Sequence, residues 1–175
     1  MKLKISIFVI FLAISVQAQI IDKEMSTGFR TATTRNIDVI IIHSTFNNSG
    51  GELYDIDLII KQFARYGVSA HYVIGRQGEV YRLVNEKNVA YHAGKSSLPD
   101  GRTGVNSCSI GIEMVCSFTE PVTDQQMEAL VKLTNEIITR HNIKFILRHS
   151  DIAPGRKTDP WNFNWEKYQN LIQAL

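Results

Sequence analysis

Asp38-Val39-Ile40-Ile41-Ile42-His43 sets four β-branched residues in a row and ends them on a histidine. An apolar run without alternation belongs to a strand covered on both faces. Such a strand needs helices above and below it, so the run predicts a layered α/β fold. Downstream, a polar loop carries Asn47, Asn48, Gly50 and Gly51. Ile56, Ile59, Ile60 and Phe63 then recur at helical spacing, with Asp55 as N-cap and Gly67 as the stop. Residues 71–74 and 79–84 read as a hairpin turning at Gln77-Gly78, which excludes a purely parallel sheet. Residues 85–107, with Gly94, Pro99, Gly101 and Gly104, form a long loop, and 109–116 a strand. Thr123 and Gln126 make a capping box for a helix whose Met127, Leu130, Val131, Ile137 and Ile138 line one side. Residues 145–147 form another buried strand, ending at Arg148-His149, and Trp165, Tyr168, Leu171 and Ile172 mark a closing helix. Upstream, 19–36 is a polar lead-in arm. The expectation is one α/β domain over 19–175, a mixed central β-sheet with helices packed on its faces.

The first eighteen residues read differently. Lys2 and Lys4 precede an apolar run over 5–16, and Val16-Gln17-Ala18 fits a signal-peptidase site. The run falls short of the roughly twenty residues that span a bilayer. Residues 1–18 are therefore expected to be a cleaved export signal, leaving a periplasmic or secreted monomer without a stable membrane anchor. Loss of the two lysines takes Lys+Arg from 19 to 17, level with the 17 Asp+Glu. A neutral chain lacks the positive excess that draws proteins to nucleic acid or anionic membrane. Cys108 and Cys116, about 26 Å apart if one strand holds both, are too distant to bridge and are expected to be free thiols.

Three apolar strands carry a group that is costly to bury: His43, Glu113 and His149. Alternation puts Ile110, Ile112 and Met114 on one face of the 109–116 strand and Ser109, Gly111 and Glu113 on the other. The second face is small-small-acid, which leaves room for a ligand. After His149, the loop 150–160 places Lys157 and Asp159 two residues apart, pointing the same way if extended. Two imidazoles and a carboxylate, His43, His149 and Asp159, suit Zn²⁺ with a fourth position left for water. Taken singly, each has an ordinary reading: a hydrogen-bonded histidine, a turn-forming Asp-Pro, a solvated lysine. Their number in one short chain favours a site.

Five segments occur in order: Ile-Ile-His-Ser-Thr (41–45), Val-Ser-Ala-His-Tyr-Val-Ile (68–74), Tyr-His-Ala-Gly (91–94), Ser-Ile-Gly-Ile-Glu (109–113) and His-Ser-Asp-Ile-Ala-Pro-Gly-Arg-Lys-Thr-Asp-Pro (149–160). This set resembles the type 2 N-acetylmuramoyl-L-alanine amidases, which share the peptidoglycan-recognition-protein-like fold. Within that family it is most similar to the anhydro-muropeptide recycling enzymes, because Lys157-Thr158-Asp159-Pro160 has their form. The resemblance implies zinc on His43, His149 and Asp159, Glu113 as acid/base, and Lys157 beside the oxyanion. It implies substrate contacts from His92, Ala93 and Arg156, with peptidoglycan or muropeptide fragments as the partner. His71 is read as structural, Asp151 as a turn former, and His141 carries no chemistry. Two departures stand out. Ala70, not tyrosine, precedes His71, and Trp161-Asn162-Phe163 replaces the Gly-Pro that usually follows Asp-Pro. A wall-sensing module that had lost a ligand would lack one of the five central groups; all are present, which favours the enzyme. An exported toxin would share this chemistry.

Overall fold

The structure, a computed structural model, describes residues 19–174; the expected export signal lies outside them. In chain order the elements are β1 (Ile20–Asp22), β2 (Phe29–Arg30), β3 (Val39–Thr45), α1 (Ile56–Tyr66), β4 (Tyr72–Ile74), β5 (Val80–Arg82), β6 (Val89–Ala90), β7 (Ser109–Val115), α2 (Asp124–Arg140), β8 (Phe145–Arg148), α3 (His149–Ile152) and α4 (Trp165–Gln173).

The main sheet has six strands in the order β1-β5-β4-β7-β3-β8. Only the β4–β5 hairpin pairs antiparallel; β1–β5, β4–β7, β7–β3 and β3–β8 run parallel. The mixed sheet follows from one hairpin set among crossover connections. Every residue of β3 is buried, as its unbroken apolar run requires. Each buried isoleucine there contributes about 1.5–3 kcal/mol relative to an exposed one.

The two faces are covered differently, and that difference creates the site. Ile40, Ile42, Ile110, Ile112 and Met114 point to α2, whose Met127, Leu130, Leu133 and Ile137 complete a closed core. Tyr168 of α4 joins it, its hydroxyl 2.7 Å from Thr134. On the other face α1 sends Ile59 and Phe63 against Val73 and Val115. At the opposite end of that face, Ala93, Leu98 and Val105 of the long loop, with Ile152, cover Val39 and Ile41. Between these two covers the sheet carries His43 and Glu113.

Helix ends match their sequence signals. Asp55 accepts from the amides of Asp57 and Leu58, and Gly67 stops α1 at φ 64°. Thr123 and Gln126 form the reciprocal capping box of α2. Gln126 goes further: its buried amide donates to the carbonyls of Ile74 and Val115, tying α2 to the ends of β4 and β7.

Four expectations are corrected. The lead-in arm is not all irregular: it supplies edge strand β1 and pairs β2 with β6, which lies inside the supposed loop. Ile138 is exposed, and Leu133 and Thr134 take that side of α2. β8 is an edge strand and only half-buried. Finally, no ligand space remains above Gly111, because the His92 ring occupies it and a Cβ on Gly111 would lie 2.5 Å from His92 Cγ. Cys108 and Cys116 are free thiols, as expected.

Candidate active site

Parallel strands open a crevice at their carboxyl ends, and β3, β7 and β8 all run the same way there. Near the end of β3, His43 is in register with Glu113 on β7. β8 hands its chain to α3, whose first residue is His149. The following loop returns Asp159, held where its carbonyl accepts from Ser150 N at 2.9 Å. His43, His149 and Asp159 are 1%, 3% and 5% exposed, so solvent does not screen them from one another.

Their donor atoms converge. His43 Nδ1 lies 2.9 Å from His149 Nδ1 and 3.4 Å from Asp159 Oδ2, and His149 Nδ1 lies 3.0 Å from the same oxygen. Donors bound tetrahedrally at about 2.0–2.1 Å sit about 3.3 Å apart, so these separations fit one small cation. Protonation also fits. Burial pushes His43 down to about 4, leaving a neutral imidazole at pH 7. Burial opposes ionisation of Asp159, yet its contacts with His149 and His43 outweigh that and hold the carboxyl well below the usual range. Electron-rich atoms crowded this closely need a cation or a shared proton between them.

Glu113 stands beside this triad, partly exposed at the floor of the cleft, with Oε2 buried and unpartnered. Burial pushes its carboxyl up to about 8; the Asp159 charge adds to the effect and Lys157 opposes it. A carboxyl poised near neutrality suits proton transfer. The cleft, about 210 Å³, is lined by His43, Glu113, His149, Lys157 and Asp159, with Tyr66 and Tyr91 on its flank and Trp161 at its rim. A larger recess of about 670 Å³ lies between β5 and α2, and no histidine lines it.

Of the residues read as substrate contacts, His92 lines the cleft, Ala93 is buried behind it and Arg156 is exposed. Both ring nitrogens of His92 are engaged, Nδ1 with His43 Nε2 at 2.9 Å and Nε2 with Ser109 Oγ at 3.1 Å. Ala93 is fully buried, and its carbonyl meets His149 Nε2 at 3.2 Å. Arg156 is exposed but donates to the carbonyls of Ala93 and Lys95. His71 is structural: its Nδ1 accepts from Gly111 N at 3.0 Å, and its Nε2 packs 3.0 Å from Arg35 Nη1 and 3.2 Å from Asn88 O. Asp151 caps α3 through Arg148 N, and His141 pairs with Glu86 at 2.7 Å.

Sequence reasoning missed Ser109 and Asn106 as supporting groups, and the aromatic wall made by Phe46, Phe118 and Trp161. These rings sit 4.3–5.8 Å apart by centroid. A usable signal existed: Phe46 and Phe118 lie just past the carboxyl ends of β3 and β7, where crevices form. Trp161 is held there by its amide, which donates to Ser44 Oγ at 3.1 Å.

The pattern characteristic of N-acetylmuramoyl-L-alanine amidases matches residues 33–162. The 1,6-anhydro-N-acetylmuramyl-L-alanine amidase AmpD of Citrobacter freundii is 41% identical over 112 residues, covering 62% of this chain and 59% of that protein. The chain thus spans about three fifths of the length of the curated relatives it matches. The crystal structure of a selenomethionine derivative of AmpD superposes with a TM-score of 0.71 at 30% identity, over 90% of this chain and 95% of that one. Escherichia coli AmiD, in complex with anhydro-N-acetylmuramic acid-L-Ala-D-γ-Glu-L-Lys, gives 0.67 at 31% identity, over 81% and 60% of the two chains.

Proposed function

The chain belongs to the N-acetylmuramoyl-L-alanine amidase family, and on that premise we propose that it is a zinc-dependent hydrolase of the amide between N-acetylmuramic acid and L-alanine, in peptidoglycan or in muropeptides. The observation that carries the reading is the convergence of His43 Nδ1, His149 Nδ1 and Asp159 Oδ2 in the same cleft as an unpartnered Glu113 and Lys157. The ligand of the AmiD complex contains the bond such a site would cut.

His43, His149 and Asp159 would hold the metal. Bound zinc supplies Lewis acidity, which polarises a carbonyl and acidifies a water. The remaining work falls to the chain itself. Glu113 ionises more readily once the neighbouring donors hold a cation, and then takes a proton from the water attacking the lactyl carbonyl carbon. As the carbon–nitrogen bond breaks, Glu113 returns that proton to the departing amine of L-alanine. Lys157 places an ammonium at the cleft, where the tetrahedral oxyanion gathers charge. The part-enclosed site keeps these charges strong by limiting bulk water.

Export through residues 1–18, and action on the wall outside the cytoplasm, belong to the same proposal. They are supported by Lys2, Lys4 and the apolar run that follows. Among the described residues, no helix is long and apolar enough to cross a membrane.

The test is mass spectrometry of products after the zinc-loaded protein meets intact sacculi and, separately, purified anhydro-muropeptides, with chelated protein as control. Stem peptides beginning in L-alanine are expected, and the substrate that releases them identifies the physiological one. Zinc-loaded protein that releases no peptide from either would overturn the hydrolase and leave a binding module.

A further inference from the structure

Both histidines of the donor triad present Nδ1, so both must carry their proton on Nε2. For His149 the reason is direct. Its Nε2 faces the Ala93 carbonyl at 3.2 Å, and a carbonyl can only accept. For His43 the partner is another imidazole, which could either accept or donate. The ambiguity resolves from the far end of the chain of contacts. Ser109 Oγ lies 2.7 Å from the Val105 carbonyl, which consumes its only proton. Toward His92 Nε2, at 3.1 Å, the hydroxyl must therefore accept, and His92 must donate. A neutral His92 that donates from Nε2 has a bare Nδ1, and that nitrogen can only accept from His43 Nε2 at 2.9 Å.

We infer that His92 is a positioning residue: with Ser109 and the Val105 carbonyl it fixes the tautomer and orientation of His43, while the adjacent Ala93 carbonyl does the same for His149. One dipeptide thus serves both imidazoles. Its placement is built, not incidental. Asn106 Oδ1 accepts from the amides of His92 and Ala93 at 3.1 and 2.8 Å, which fixes the segment over β7. Arg156 donates to the Ala93 carbonyl at 2.8 Å and braces it from the outer side. Gly111 supplies the space, since any Cβ there would strike the His92 ring. Partners behind metal-binding histidines commonly change metal affinity by about 10–100-fold when lost.

This inference rests on the zinc-site reading, so the experiment separates the two. Zinc affinity is measured by competition with a chromogenic chelator, and imidazole tautomers by ¹⁵N NMR of the full protein without metal. His92→Phe keeps a ring over Gly111 but removes the acceptor; it is expected to weaken zinc about 10–100-fold and to release His43 from its Nε2-protonated form. His92→Asn, whose Oδ1 stands where Nδ1 stood, is expected to restore both to near wild type. A His92→Phe protein with wild-type affinity and an unchanged His43 tautomer overturns the inference. If His92→Phe does not fold, Ser109→Ala decides: the share of metal-free His43 in its Nε2-protonated form and the zinc affinity are expected to fall, and wild-type values for both overturn the relay. A wild-type protein that does not bind zinc, or an Asp159→Ala variant that binds it as tightly, sinks the zinc-site reading instead; the tautomer signals still judge the relay.

Discussion

Glu113 is set apart by what it lacks. Its Oε2 is buried with no partner, and burial has pushed the carboxyl up to about 8. Glu113→Gln keeps the shape and removes the titrating proton. It is expected to lower kcat by roughly 10² to 10⁴ while zinc content stays at wild type, the usual size of a lost acid/base step. Turnover within a few-fold of wild type, measured on an anhydro-muropeptide, would remove Glu113 from the mechanism. That residue was legible in the sequence because an acid inside Ser-Ile-Gly-Ile-Glu-Met-Val has no cheap structural explanation. His43 and His149 stood out for the same reason at the ends of apolar runs. Ser109 and Asn106 gave no such signal, since a small polar residue in a strand or loop is ordinary. His92 was visible as chemistry but not as support: its role depends on which ring atom faces His43, and only the fold sets that.

Among elements, α1, α2 and β7 declared themselves by periodic apolar patterns, β3 by its unbroken apolar run, and the β4–β5 hairpin by its turn. β1, β2 and β6 did not. They have two or three residues each and no pattern of their own, and exist because the main sheet and each other offer partners. β8 misled in a different way: its apolar residues suit an interior strand, yet it pairs on one side only. β7 carries the most consequential pattern. Its small residues are needed to seat a ring against the sheet, so the strand should not tolerate bulk at Gly111. Gly111→Ala would bring a methyl to 2.5–2.8 Å of three His92 ring atoms. Overpacking of this kind typically costs about 1–3 kcal/mol. Chemical denaturation of the metal-free variant should show that loss, and chelator competition should show weaker zinc binding from a displaced His92. A variant as stable as wild type would mean that the ring is free to move aside, which its contacts with Ser109 and His43 oppose.

At the scale of the whole molecule, the buried titratable groups set the pH range in which the metal-free fold is stable. Burial lowers His43 to about 4 and His71 to about 3, and it holds His92 well below its ordinary range. The unfolded chain binds protons at these histidines near pH 6.5 while the folded one does not, so stability falls as pH drops below about 6.5. Each histidine contributes at most about 1.4 kcal/mol per pH unit. Glu113 has the opposite sign. Its folded value of about 8 lies above that of the unfolded chain, so it erodes stability as pH rises from roughly 4.5 through 8. Below pH 6.5 three histidines outweigh one glutamate; above it Glu113 acts with the histidines already silent. The melting temperature of chelated protein should therefore peak near pH 6.5 and fall more steeply on the acid side. In Glu113→Gln the alkaline decline should flatten while the acid limb stays. Zinc at a hundredfold excess over its dissociation constant adds about 2.7 kcal/mol, equivalent to roughly 5–11 °C for a domain of this size. That gain should shrink in acid, because protons compete for the same nitrogens. A melting temperature that climbs steadily toward pH 5, with zinc giving no increment at pH 7, would contradict both the burial of the histidines as neutral groups and their convergence on a cation.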